Sequence, residues 1–234
     1  MRPDVYGLPT GTVYGPLLNF RRERDLWAPR MSDAPYKAAP QAPVLYVKTA
    51  NTFAAAGAAV AVPEPVWLGP TLGLVVGSSV SNWTQAPSGQ AQAAIETIVL
   101  GGVSIAACML LSDLALPHES YYRPAIRFRN RDGFLVCGAS RPPLAPAALA
   151  ALAIEARLNG EAVLRADLST LVRDAAALLA DVSAFMTLQP GDVLMLGTEC
   201  LADGTRPLGR AGDRIEVRAP GFEPLVHTLT QEVA

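Results

Sequence analysis

Ile98-Val-Leu-Gly101-Gly102-Val-Ser104-Ile-Ala-Ala-Cys108-Met-Leu-Leu111 is an almost uncharged apolar run. It passes directly into Asp113-Leu-Ala-Leu-Pro-His118-Glu119-Ser-Tyr121-Tyr122-Arg123-Pro124-Ala-Ile-Arg127-Phe-Arg129-Asn-Arg131-Asp132-Gly133-Phe134. The first part reads as a strand entering a core. The second crowds carboxylate, guanidinium and phenol groups into a short span. A site that grips a small oxo-diacid, directly or through a hard cation, needs such a set.

Outward from this stretch, β-branched and apolar runs recur. Val44-Leu-Tyr-Val47 predicts a buried strand closed by Lys48, and a lysine in that place faces either solvent or a site. Leu72–Gly77, Phe134–Cys137 and Asp192–Gly197 predict further buried strands, and Arg214–Arg218 predicts an alternating, half-exposed one. Asn159-Gly160 between 153–158 and 161–164 favours a tight hairpin turn. Residues 87–98 have helical texture, and residues 141–152 read as irregular with one helical turn. The clearest helix spans 168–186, where Leu168, Leu171, Val172, Ala175, Leu178, Leu179, Val182, Phe185 and Met186 form one apolar face, with Asp167 or Ser169 as its cap. Many short strands and few helices predict a mainly β, α+β domain.

Residues 1–40 are Pro-rich and basic and read as an N-terminal arm or lid, with 19–25 a charged loop or short helix. Residues 41–234 read as the main domain. With 50% hydrophobic and 17% charged residues, a sizeable core is within reach and disorder is excluded. A net charge of -2, without a basic patch, argues against nucleic acid and an anionic membrane surface. The apolar run 98–111 is too short to span a bilayer. No signal-peptide core follows Met1, so a cytoplasmic protein is expected and the Asn82-Trp-Thr84 sequon carries no meaning. The three cysteines, Cys108, Cys137 and Cys200, are scattered and suggest neither a disulfide nor a zinc framework, and Cys108 and Cys137, in apolar strings, are expected as buried reduced thiols. Two histidines, His118 and His227, cannot build a His-rich metal centre, so any cation here is a hard one with oxygen ligands.

The chain resembles the fumarylacetoacetate hydrolase superfamily along nearly its whole length. The resemblance is carried by Tyr14–Arg21, Ala34–Pro40, Val44–Thr52, Gly69–Gly77, Asp113–Phe134, Phe185–Thr198 and Pro207–Asp213. Within the superfamily it is most similar to the N-terminal halves of the bifunctional decarboxylase/isomerases of 4-hydroxyphenylacetate (homoprotocatechuate) degradation. The resemblance implies a mixed β-sandwich roll with flanking helices and a Mg²⁺ or Mn²⁺ that chelates a 2-oxo acid. It implies decarboxylation of 5-oxopent-3-ene-1,2,5-tricarboxylate and isomerisation of 2-hydroxyhepta-2,4-diene-1,7-dioate.

Residue by residue, the resemblance places the metal-binding Asp at Asp113, while Gly69 and Thr71 stand where active members carry a Glu-x-Glu pair. The strand-ending lysine falls on Lys48 and a second family lysine on Arg129, which makes Lys48, Asp113 and Arg129 the catalytic candidates. Arg123, Tyr122 and Thr198, the last in a Gly197-Thr198-Glu199 loop, are the substrate-binding candidates. Glu23 lies near the place of the family's lid Glu, and its His has no match. Three readings of the residues stand open for Asp113: an orphaned metal ligand, a hydrogen-bonded structural carboxylate, or part of a reworked site. Arg123 is expected on a substrate carboxylate or on Asp132 or Asp113. His118 is expected at the surface or in a loop.

The resemblance implies a lyase/isomerase subunit that acts on an oxo-dicarboxylate or oxo-tricarboxylate. It works within a homo-oligomer, or a hetero-oligomer with a sister chain of C-terminal type, rather than alone. The alternatives are a catalytically silent structural partner of a metal-bearing sister and a hydrolase of acylpyruvate-type substrates.

Overall fold

The computed structural model describes residues 7–77, 98–118 and 126–233. Two sheets carry the fold among these residues. One has nine strands in the order β2-β1-β11-β5-β7-β8-β3, with β12 added to β5 and β6 to β7; the other has five, in the order β10-β9-β13-β14-β4. The strands of the first sheet are β1 (Val13–Leu17), β2 (Val44–Lys48), β3 (Phe53–Ala55), β5 (Val66–Val76), β6 (Ile98–Leu100), β7 (Val103–Ala115), β8 (Leu135–Arg141), β11 (Val193–Met195) and β12 (Leu208–Gly209). Those of the second are β4 (Ala59–Val62), β9 (Ala153–Leu158), β10 (Glu161–Asp167), β13 (Arg214–Arg218) and β14 (Leu225–Gln231). Four α-helices flank them: α1 (Arg21–Trp27), α2 (Ile126–Arg129), α3 (Pro146–Ala150) and α4 (Ala175–Ser183). This is the mainly β, rolled architecture the sequence predicts.

The first sheet must curl. β2 and β3 lie at opposite ends of its order, yet only residues 49–52 join them. A chain of that length reaches at most about 18 Å, whereas six strand spacings laid flat would span about 29 Å. The curl gives the sheet two buried faces, and strand parity sorts the side chains between them. Cys108, Leu110 and Leu114 of β7 join the large core against the second sheet and α4, together with Ile154, Ile215, Val217, Leu225 and Leu229. Met109 and Leu111 point the other way, into a smaller cluster with Val13, Leu135, Cys137, Val193 and Met195 inside the roll.

Several expectations need correction. The run 98–111 is not one strand. Gly101 and Gly102 take positive φ (53° and 83°) and fold it into the β6–β7 hairpin. Among the described residues β2 is an edge strand paired to β1 alone, so it is half-exposed rather than buried; Val47 is 41% exposed and, within β2, Lys48 alone is buried. The 168–186 helix shrinks to α4. Asp167 caps only a 3-10 turn at Leu168–Thr170. The N–H groups of Val172 and Arg173 then donate to the backbone and side-chain oxygens of Asn19, which withdraws them from any helix. Asp174 restarts the helix by accepting from Ala177 N–H at 2.8 Å. The apolar stripe still packs inward through Leu178, Leu179 and Val182, while Phe185 lies past the helix end, 60% exposed. The helix expected at 87–98 falls outside the described residues except for Ile98, which begins β6. The Asn159-Gly160 turn is as expected, with φ of 53° and 95°.

Candidate active site

Parity also decides where Asp113 goes. It shares the β7 face of Met109 and Leu111 and so enters the roll, while its neighbour Ser112 faces the second sheet and meets His227 of β14 at 3.0 Å. Lys48 closes β2, and Tyr46, two residues before it, shares its face. Curling brings that edge over Asp113. Lys48 Nζ lies 2.9 Å from Asp113 Oδ1, both side chains fully buried. Tyr46 Oη donates to Asp113 Oδ2 at 2.5 Å, and Arg129 Nη1 lies 3.1 Å from the same oxygen. The Arg129 guanidinium also sits over the Tyr46 ring, 4.2 Å from its centroid. Lys48 gives its three donors to the carbonyls of Arg129 (2.5 Å), Phe134 (2.9 Å) and Leu114 (3.2 Å), at the mouth of the roll, and meets Asp113 Oδ1 as an ion pair without a hydrogen bond.

The protonation states follow from these contacts. Burial alone would raise the Asp113 carboxyl, but Lys48 and Arg129 outweigh it and hold the group below the usual carboxylate range. Burial pulls the Lys48 ammonium down from its ordinary value, and the Asp113 charge opposes that pull. Burial, reinforced by the Asp113 charge, keeps the Tyr46 phenol protonated well above its usual range. The cluster is therefore a carboxylate stabilised by Lys48 and Arg129 and bonded to a phenol that stays protonated.

Gly69 is the direct cross-strand partner of Asp113 on β5, and Thr71 is the partner of Leu111. Position 69 has no room to spare. A Cβ there would stand 2.7 Å from Thr198 Cγ2 and 2.8 Å from the Asp113 carbonyl oxygen. Gly69→Ala is therefore expected to lower stability by about 1–3 kcal/mol, read as a shift of the urea midpoint. A neutral result would mean that the Thr198 loop gives way. Among the described residues no three His, Cys, Asp or Glu side chains converge as a cation would need.

Above Arg129 opens a cleft of about 820 Å³, lined among others by Glu23, Trp27, Arg30, Tyr36, Trp67, His118, Arg129 and Arg206. Helix α1 brings Glu23 to it, buried and 2.5 Å from Arg206 Nη2. Arg206 lies over the Trp67 ring at 5.4 Å. His118 lies in the loop after β7, one of its two expected places, and is half-buried there rather than free at the surface. It packs between Trp67 and Phe128, its Nδ1 is 2.8 Å from the Leu116 carbonyl, and burial lowers its pKa.

Of the residues singled out from the sequence, Lys48, Asp113 and Arg129 come together, and Thr198 packs against the face of Gly69 beside them. Tyr122 and Arg123 lie outside the described residues. Asp132, considered as a partner for Arg123, accepts from Asn51 Nδ2 at 2.7 Å. Glu199 is buried and accepts from the Cys200 N–H, and burial raises its carboxyl. The sequence reading missed Tyr46, although its two-residue spacing from Lys48 marks it. It also missed Arg206, whose pairing with Glu23 leaves no local signal.

The fumarylacetoacetate (FAA) hydrolase C-terminal family profile matches residues 12–230. A 4-hydroxyphenylacetate degradation bifunctional isomerase/decarboxylase from Escherichia coli is 34% identical over 95% of this chain, which covers 48% of that protein. The chain thus spans about half the length of the curated relatives it matches. Among solved structures, a 5-carboxymethyl-2-hydroxymuconate delta-isomerase from Mycobacterium smegmatis superposes with a TM-score of 0.70 at 19% identity, over 97% of this chain and 79% of the other. A maleylpyruvate hydrolase from Sphingobium sp. SYK-6, in complex with manganese(II) and pyruvate, superposes at 0.63 and 18% identity, over 95% and 71%.

Proposed function

Because this chain belongs to the fumarylacetoacetate hydrolase family, we propose that it works as the N-terminal-type half of an isomerase/decarboxylase of aromatic catabolism. Its partner is a sister chain, or sister half, that carries an intact carboxylate pair. The substrates in this reading are 5-oxopent-3-ene-1,2,5-tricarboxylate and 2-hydroxyhepta-2,4-diene-1,7-dioate, and a cytoplasmic location goes with it. Support comes from the isomerase/decarboxylase names of the relatives and from the half-length match.

The observation that carries the division of labour is the state of Asp113. Its Oδ2 accepts from Tyr46 and Arg129, and its Oδ1 faces the Lys48 ammonium as an ion pair, so two cations already balance the carboxylate. Gly69 opposite offers no side chain and Thr71 only a hydroxyl. A dication wants about six oxygen ligands, and this donor set does not fit Mg²⁺ or Mn²⁺. Lys48 and Asp113 instead fix the mouth of the roll and hold Arg129 at the cleft. Arg129 and Thr198, with Tyr122 and Arg123, are assigned to orienting the substrate's carboxylates.

The test is an absorbance assay of the dienoate. The chain alone, supplied with Mg²⁺ or Mn²⁺, is expected to leave the signal unchanged, and turnover is expected once the sister chain is added. Steady consumption by the isolated chain would sink this reading.

A further inference from the structure

His118 lines the cleft together with Trp67, Arg129 and Arg206. Its ring is clamped between Trp67, 5.0 Å away, and Phe128, stacked on it at 5.2 Å and 17°. The Leu116 carbonyl oxygen lies 2.8 Å from Nδ1. A carbonyl oxygen only accepts, so in the neutral imidazole Nδ1 carries the hydrogen and Nε2 is the bare lone pair. Among the described residues Nε2 has no hydrogen-bond partner. Burial, helped by Arg129 and Arg206 and opposed by the Leu116 carbonyl and Asp113, lowers the pKa, so the ring is mainly neutral at pH 7. The other charged groups on the cleft wall are Arg30 and Glu23, the latter paired to Arg206. Glu119 and Arg123, next along the chain, lie outside the described residues. A base held in one orientation, neutral and with its acceptor edge free, is what proton transfer needs.

We infer that His118 is the proton-transferring base of this cleft: Nε2 takes the proton from the hydroxyl of the 2-hydroxydienoate, and the imidazolium returns it to the far end of the diene. This role rests on the function proposed above and names the residue of this chain that moves the proton once the sister chain is present. The O–H bond breaks and its electron pair forms C2=O. The C2=C3 pair moves to C3–C4, and the C4=C5 pair takes the proton at C5. A hydroxydiene becomes an oxo-ene with no other reactant consumed, and the base is regenerated. Arg129, on the same wall, balances the charge of the dienolate between the two transfers. The carboxylate among the described cleft residues, Glu23, is the competing base, and it is spent on Arg206. Asp113 lies behind Arg129, balanced by two cations.

The test uses the complex of this chain with its sister chain, turning over the dienoate. His118→Gln is expected to lower kcat about 100-fold and to change KM by less than about threefold. His118→Ala is expected to lose at least as much and to regain about tenfold in about 50 mM imidazole, which enters the gap left between Trp67 and Phe128. Thermal melts check that both variants fold. In the parent, kcat/KM should fall as pH drops through the pKa of His118, because the base works deprotonated. That pKa is read by NMR of the imidazole protons, which come from two histidines, the other being the fully buried His227. Undiminished turnover by His118→Gln, or a loss in His118→Ala that imidazole leaves untouched, would overturn the role. Should neither variant fold, the parent profile decides, and an acid limb that ignores the His118 titration overturns it. A complex that works equally well with His118→Gln leaves the proposed function standing. Turnover by the isolated chain that vanishes in His118→Gln does the reverse, and a complex that never turns over takes both down.

Discussion

Asp113→Ala is expected to destabilise the protein by about 3–5 kcal/mol, the range for removing one partner from a buried charge pair. The variant would leave Lys48 and Arg129 as two neighbouring cations, 0% and 5% exposed, with no carboxylate between them. It would also strand the Tyr46 hydroxyl, which now donates to Asp113. For a chain of this length the loss corresponds to a fall of about 10 °C in the melting midpoint. A Lys48/Asp113 double-mutant cycle, with Lys48→Met as the second change, is expected to show coupling of about 1–3 kcal/mol. An Asp113→Ala protein that melts within a degree or two of the parent would mean that the carboxylate is not the counter-charge described here.

The second large effect is acid sensitivity through His227. This side chain is fully buried between the sheets, with Ser112 Oγ at 3.0 Å from its Nε2. Burial lowers its pKa to about 4. A folded-state pKa below the unfolded value means that the unfolded chain binds the proton more readily. The stabilisation is therefore complete above pH 6.5 and is lost as pH falls towards 4. Its size is about 3 kcal/mol by the energy of one pKa unit. Urea midpoints measured from pH 7 to pH 4 should fall steeply, and His227→Phe should flatten the part of the slope between 6.5 and 4.5. An unchanged slope in the variant would assign the acid loss to other groups.

The reaction chemistry is harder to read from sequence than the scaffold, and Asp113 illustrates why. Its residue type and its place beside an apolar run mark it as unusual, and strand parity puts it on the face of Leu111. Three roles still fit those facts. The choice among them depends on Lys48 and Tyr46, more than sixty residues earlier, and on Arg129 beyond the end of β7. Helix α4 is a similar case. Its apolar stripe is visible in the sequence, but its start is set by Asn19, which draws off the N–H groups of Val172 and Arg173.

What the sequence by itself determined is what short-range rules encode: the strands of β5, β7 and β8, the Asn159-Gly160 turn, the inward stripe of α4, and the family through the order and spacing of its segments. These signals act over a few residues, where periodicity and backbone freedom decide the outcome. Only the tertiary structure decided that Lys48 lies buried against Asp113 rather than in water, that Thr198 fills the space facing Gly69, and that Glu23 and Arg206 close one wall of a cleft. Each of those contacts exists because the nine-stranded sheet curls and α1 docks on a distant loop. Long-range closure of that kind is set by the packing of the whole chain and leaves no mark in any one segment.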